Sequence, residues 1–131
     1  MARIYIICPV KGITEEESKF LHKYVENLEK QGHKVHLPPR DTSQVDELKG
    51  YNICCRNFEA ILDADEIHYY YNSSSTGSYF DFGISFYEFQ LKKKPIKLIN
   101  REAVLKAIKD GKKTRGLEFV ALTIDEWNKP K

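Results

Sequence analysis

Asp81 stands in the run 73–83, SSSTGSYFDFG, with Phe80 and Phe82 on either side. Small polar residues and a glycine lead into an aromatic helix, and one carboxylate sits in its first turns. An ionised carboxylate among apolar rings is costly unless paired or hydrogen-bonded. Such a group is either a helix-dipole partner near an N-terminus or a functional acid. Tyr5 alternates with core positions on an early apolar run, so its hydroxyl needs a partner if buried. A carboxylate at the same sheet edge would serve. Ser73, Ser74, Ser75, Thr76, Gly77 and Ser78 bring hydroxyls and free N–H groups to a helix start. That is an anion site or a solvated N-cap. Lys11 and Gly12 tip a second loop, where Lys11 either adds charge for a phosphate or is simply exposed. Asn57 borders an apolar helical stripe, one turn from Cys54 and Ile61, and faces either a pocket or solvent.

Other chemistries find less support. The loop lacks the Gly-Lys-Ser/Thr ending of a Walker P-loop, and the first strand leads to Pro-Val-Lys-Gly without the dinucleotide glycine triplet. Cys8, Cys54 and Cys55 lack metal-site spacing and read as reduced thiols, with Cys54 and Cys55 packing a helix. His22, His33, His36 and His68 have no zinc-type spacing to the cysteines, and His68 is expected to point outward. None reads as catalytic.

The elements that must position these groups alternate. Residues 3–8 (RIYIIC) form a nearly continuous apolar run ended by Pro9, as in a buried parallel strand. Thr14 and Glu17 make a capping box for a helix bearing Phe20, Leu21, Tyr24, Val25 and Leu28. Residues 33–37 read as a second strand, followed by a polar loop. A second helix is expected over 46–63, a third strand over 64–71, and the Asp81 helix to about Leu91. Residues 95–100 form a fourth strand and 101–109 a fourth helix. Residues 117–122 read as a fifth strand. Lys92 to Lys94 suit the negative end of the Asp81 helix.

Alternating strands and helices predict an α/β fold. The expectation is one flavodoxin- or Rossmann-like domain over 1–131, with a five-stranded parallel sheet ordered 2-1-3-4-5 and helices on both faces. Ligands bind such sheets beyond the carboxyl ends of strands 1 and 3. The loops 9–13 and 72–77 lie there, and the second delivers Asp81.

The chain has 131 residues, 41% apolar and 31% charged, which suits one soluble globular core. A net charge of +2 argues against a nucleic acid polymer or a membrane as partner. No apolar run approaches the roughly 20 residues of a membrane span, and no signal-peptide pattern opens the chain. A cytoplasmic location is expected.

Three segments together resemble the nucleoside 2-deoxyribosyltransferases and their nucleoside 5′-monophosphate N-glycosidase relatives. They are 4–9 (IYIICP), 57–65 (NFEAILDAD) and 77–83 (GSYFDFG), which is similar to the family's Gly-x-x-x-Glu-x-Gly signature. The resemblance covers residues 3–100. It implies an enzyme that breaks the bond between base and sugar through a glycosyl-enzyme ester, passing the sugar to a base or water. By position, Asp81 is the nucleophile and Tyr5 orients it. Asn57 contacts base or sugar. Ser75, with Gly77 and the loop of Pro9, Lys11 and Gly12, holds the 5′ end. Three positions depart from the pattern: Asp81 replaces the usual Glu, Asn57 replaces an acid, and Ser75 replaces an Asp of the transferases. A serine there resembles the branch acting on nucleoside 5′-monophosphates. No metal or organic cofactor is implied, and a homo-oligomer is.

The expected substrate is a nucleoside or its 5′-monophosphate. The rival expectation is a non-catalytic nucleotide-binding or sensing module using the same pocket. A third is an interaction protein presenting Tyr69, Tyr70, Tyr71 and Trp127.

Overall fold

The computed structural model describes residues 1–128. Strand β1 (Arg3–Ile7) sends alternate side chains to opposite faces. Tyr5 and Ile7 join one apolar cluster with Ile61, Ile67, Tyr69, Phe82 and Phe89. Ile4 and Ile6 join the other, with Leu21, Val25, Val35 and Leu37. Both faces are covered, which is why the strand reads as unbroken apolar sequence.

Helix α1 (Glu15–Lys30) starts with both halves of the Thr14–Glu17 capping box formed. Strand β2 (Lys34–His36) follows. The next residues make a one-turn helix α2 (Pro38–Asp41) where a loop was expected. Proline at the first helical positions presets the backbone for it. Helix α3 (Tyr51–Asp63) begins five residues later than the pattern suggests. The cause is Asp46, whose carboxylate accepts from the N–H groups of Leu48, Gly50 and Ile53 at 2.8, 3.0 and 2.9 Å. It caps the helix across a turn that needs Gly50, at φ 122°. Strand β3 (Glu66–Tyr69), helix α4 (Thr76–Lys92), strand β4 (Ile96–Leu98) and helix α5 (Arg101–Asp110) complete the alternating part.

The sheet is parallel with the order β2-β1-β3-β4. The expected fifth strand is absent among the described residues. Residues 117–122 lie instead in helix α6 (Leu117–Trp127). Its buried positions are Glu118, Ala121, Ile124 and Asp125, a helical and not a two-residue period. The β4 edge is also already occupied. Leu98 N–H donates to Asp125 Oδ1 at 2.8 Å, and the Asn128 amide donates to the Ile96 carbonyl. Side chains thus take the backbone groups that a fifth strand would use.

Two further expectations change. Of Lys92 to Lys94, Lys94 turns inward. Its Nζ donates to Glu88 Oε1 at 2.9 Å and to the carbonyls of Ile61 and Leu62, at 2.9 and 3.0 Å, so it neutralises the end of α3, not α4. His68 is buried, bonded to Glu66 and Tyr24, and does not point outward. No helix among the described residues is long and apolar enough to cross a membrane.

Candidate functional site

Asp81 sits in the second turn of α4, 7% exposed, with its carboxylate turned toward β1. Tyr5 is fully buried on β1, and its hydroxyl donates to Asp81 Oδ2 at 2.8 Å. Oδ1 has no hydrogen-bond partner among the described residues. Burial pushes the Asp81 carboxyl up to about 6, and the Tyr5 bond pulls partly the other way. Burial and the neighbouring Asp81 charge hold the Tyr5 hydroxyl well above its ordinary range, so it stays a proton donor.

Asp81 opens onto a cleft of about 760 Å³ at the carboxyl ends of β1 and β3. Of two other depressions, of about 450 and 410 Å³, the first shares no wall residue with the cleft and the second adjoins it through Ser74. The cleft's mouth carries Lys11, from the loop after β1, and Lys49, from the turn that Asp46 builds. Neither lysine has an ion pair among the described residues.

Ser75 is the N-cap of α4. Its Oγ accepts from Ser78 N–H at 3.2 Å and lies 2.7 Å from Ser78 Oγ. When Ser78 donates, the Ser75 O–H is free for a ligand. The N–H groups of Thr76 and Gly77 precede the first intrahelical bonds and are free donors. A Cβ added at Gly77 would meet nothing within 4 Å, so this turn is open to the cleft. The result is an anion-attracting mouth above a buried carboxylate.

The structure brings Lys11, Asn57, Ser75, Gly77 and Asp81 onto one cleft, with Tyr5 directly behind Asp81. Pro9 and Gly12 are not among its walls. Pro9 is buried, and Gly12 turns the loop at φ 71°. Asn57 is 8% exposed, so it is not the solvent-facing boundary residue that its spacing allowed. Thr42 Oγ1 donates to Asn57 Oδ1 at 2.8 Å.

Sequence reasoning missed several wall residues: Gln44, Asp46, Lys49, Phe80 and Cys54. Phe80 had a signal, since it adjoins Asp81, and it is 54% exposed at the rim. Lys49 had none, because its place depends on the Asp46 turn. Cys54 lines the cleft and does not only pack the helix. Burial and the Asp81 charge raise its thiol, and burial raises Cys8 to about 12, so neither is an activated nucleophile. Tyr69 and Tyr71 are 1% and 4% exposed, which removes them from any contact surface. Among the described residues, no group of three His, Cys, Asp or Glu side chains is placed to hold a metal ion.

Among solved structures, a 2-deoxyribosyltransferase from the psychrotolerant bacterium Bacillus psychrosaccharolyticus is 25% identical. The match has a TM-score of 0.60 and covers 74% of this chain and 71% of that one. This chain is a structural relative of the nucleoside 2-deoxyribosyltransferases. The CMP N-glycosidase BcmB of Clostridium botulinum shares the fold at 18% identity, with a TM-score of 0.52 over 73% of this chain and 66% of that one. A conserved protein from Enterococcus faecalis V583 shares it at 14% identity, with a TM-score of 0.64 over 98% and 88%. No protein-family model and no curated protein sequence matches the chain.

Proposed function

We propose that this chain cleaves the N-glycosidic bond of a nucleoside 5′-monophosphate. Asp81 Oδ1 attacks C1′, and the base leaves with the bond's electrons. Water or a second base then takes the sugar from the glycosyl ester. Tyr5 holds the other carboxylate oxygen, so one oxygen is left to react. The observation that carries this reading is the Tyr5–Asp81 pair beneath a mouth bearing Lys11, Lys49 and the α4 N-terminus. With a nucleotide's sugar beside Asp81, its 5′ phosphate would reach that mouth. Asn57, from the α3 wall, is left for the base. The likeness to a 2-deoxyribosyltransferase supports the same chemistry.

The test is direct. The protein is incubated with nucleosides and their monophosphates, and free base is followed by chromatography. Base release is expected from at least one monophosphate. Asp81→Asn abolishes it and largely spares nucleotide binding. Asp is one methylene shorter than Glu, and a misplacement on the order of 1 Å can cost about 100-fold in rate. Asp81→Glu therefore raises turnover if reach limits it. By calorimetry the monophosphate binds more tightly than the nucleoside, and Lys49→Ala narrows that gap. Binding without base release from any substrate would leave a non-catalytic nucleotide-binding module as the better account.

A further inference from the structure

We propose that Thr42 fixes the Asn57 amide with its nitrogen toward the cleft, so that the base read there presents a carbonyl oxygen and not an exocyclic amine. This rests on the nucleotide reading above. It concerns the polarity of one wall, which no likeness supplies.

Three side chains form a hydrogen-bonded chain, from His36 through Thr42 to Asn57. Thr42 is 5% exposed and has one O–H to give. It gives it to Asn57 Oδ1 at 2.8 Å. His36 Nε2 lies 2.8 Å from the same Thr42 oxygen, so its hydrogen faces Thr42. Burial holds His36 below its ordinary range, which favours the neutral ring. Nε2–H is the tautomer that matches a Thr42 hydroxyl already given to Asn57. The imidazole is itself held in place. It stacks on the Tyr5 ring at 5.4 Å between centroids and 13° between planes. Tyr5 thus sets both Asp81 and the start of this relay.

With Oδ1 committed to Thr42, Asn57 turns Nδ2 to the other side. That amine has no hydrogen-bond partner among the described residues, although the residue is more than nine-tenths buried and lines the cleft. Nδ2 is not itself a sealed, unsatisfied atom, so it meets the open cleft. A base that covers it must offer an acceptor, because a donor left unpaired beneath a ligand is costly. Asn57 shares the α3 wall with Ile53 and Cys54, a largely apolar strip suited to a flat base. A carboxylate at this position would offer only acceptors and read an amine. An asparagine free to flip would read both. Thr42 removes that freedom.

The experiment compares paired substrates that differ in one group: uridine with cytidine monophosphate, and inosine with adenosine monophosphate, as ribo and deoxyribo forms. In each pair kcat/KM is expected to favour the keto member by about 10- to 100-fold. Asn57→Asp reverses the order. Thr42→Val is nearly isosteric, frees the amide and brings each pair toward parity, whereas Thr42→Ser restores the preference. If nucleotides bind without turnover, the same ratios are read as Kd by calorimetry, and the inference stands or falls apart from the enzyme reading. An amine preference in the wild type, parity within each pair, or a keto preference that survives Thr42→Val would each overturn it. Failure of every nucleotide to bind overturns it together with the function on which it rests.

Discussion

In the proposed reaction Asp81 is the attacking group, and in the fold it is a local cost. Its carboxyl is raised from 3.8 to about 6 because burial disfavours the charged form. As a nucleophile it must be ionised, so kcat/KM for base release should rise with pH through an acid limb centred near 6. Tyr5→Phe deletes the bond that pulls this value down. The limb should then move to higher pH, and base release should fall by about 10- to 100-fold, the equivalent of a lost charge-assisted hydrogen bond. The stability consequence has the opposite sign. Above pH 6 the folded state holds a desolvated carboxylate that the unfolded chain would solvate, a penalty of about 3 kcal/mol. That penalty fades as the pH falls through 6, because the folded state binds the proton first. Asp81→Asn should therefore raise Tm at pH 8, and thermal melts at pH 4 should show little of that gain. An Asn variant less stable than wild type at pH 8 would contradict this.

At the scale of elements, the site depends on how α3 and α4 are joined and how the sheet ends. Lys94 crosses from the end of α4 to the last carbonyls of α3 while paired with Glu88, which is 2% exposed. That bridge sets the spacing of the helices that carry Asn57 and Asp81. At the far edge, α6 stands where a fifth strand was expected, with Asp125 serving both Leu98 N–H and Arg101. Asp125→Ala leaves a part-buried backbone donor unpaired. It should cost about 1–3 kcal/mol in urea unfolding. Hydrogen exchange should quicken at Leu98 before it does at Ile6, in the middle of the sheet. Uniform acceleration across the sheet would show that α6 does not hold this edge locally.

At the scale of the whole molecule, two neighbouring helices leave apolar side chains uncovered. On α3, Tyr51, Phe58 and Leu62 are 66%, 43% and 40% exposed; on α4, Phe80, Tyr87 and Leu91 are 54%, 62% and 62% exposed. The spacing in each set places one stripe along each helix, and the two helices pack side by side. Paired stripes of this kind suit burial against a second copy. Phe80 belongs both to the stripe and to the cleft's rim, so association would cover the site's edge. Light scattering is expected to give at least twice the chain mass of 15.3 kDa. The double change Phe58→Glu and Tyr87→Glu should return it to one chain without lowering Tm greatly. A wild-type protein that scatters as a single chain at micromolar concentration would rule this assembly out.

What the sequence determined by itself is what depends on near neighbours. The Thr14–Glu17 box, the unbroken apolar run of β1, and the small-residue entry to the Asp81 helix each lie within one element, and each formed. The alternation of strand and helix then carried Asp81 and Lys11 to the same sheet edge. Tertiary structure decided whatever required a partner from elsewhere in the chain. Residues 117–122 have the composition of a strand, yet they form helix because Asp125 and Asn128 occupy the β4 edge. Lys94 looked like an end-of-helix charge, but it answers the carbonyls of another helix. Asn57 lies 15 residues from Thr42, and Tyr5 lies 76 from Asp81. A local pattern records which side of an element is apolar. It does not record which polar atoms meet when two elements pack, and in this protein those meetings set the orientation of the carboxylate and the amide that face the cleft.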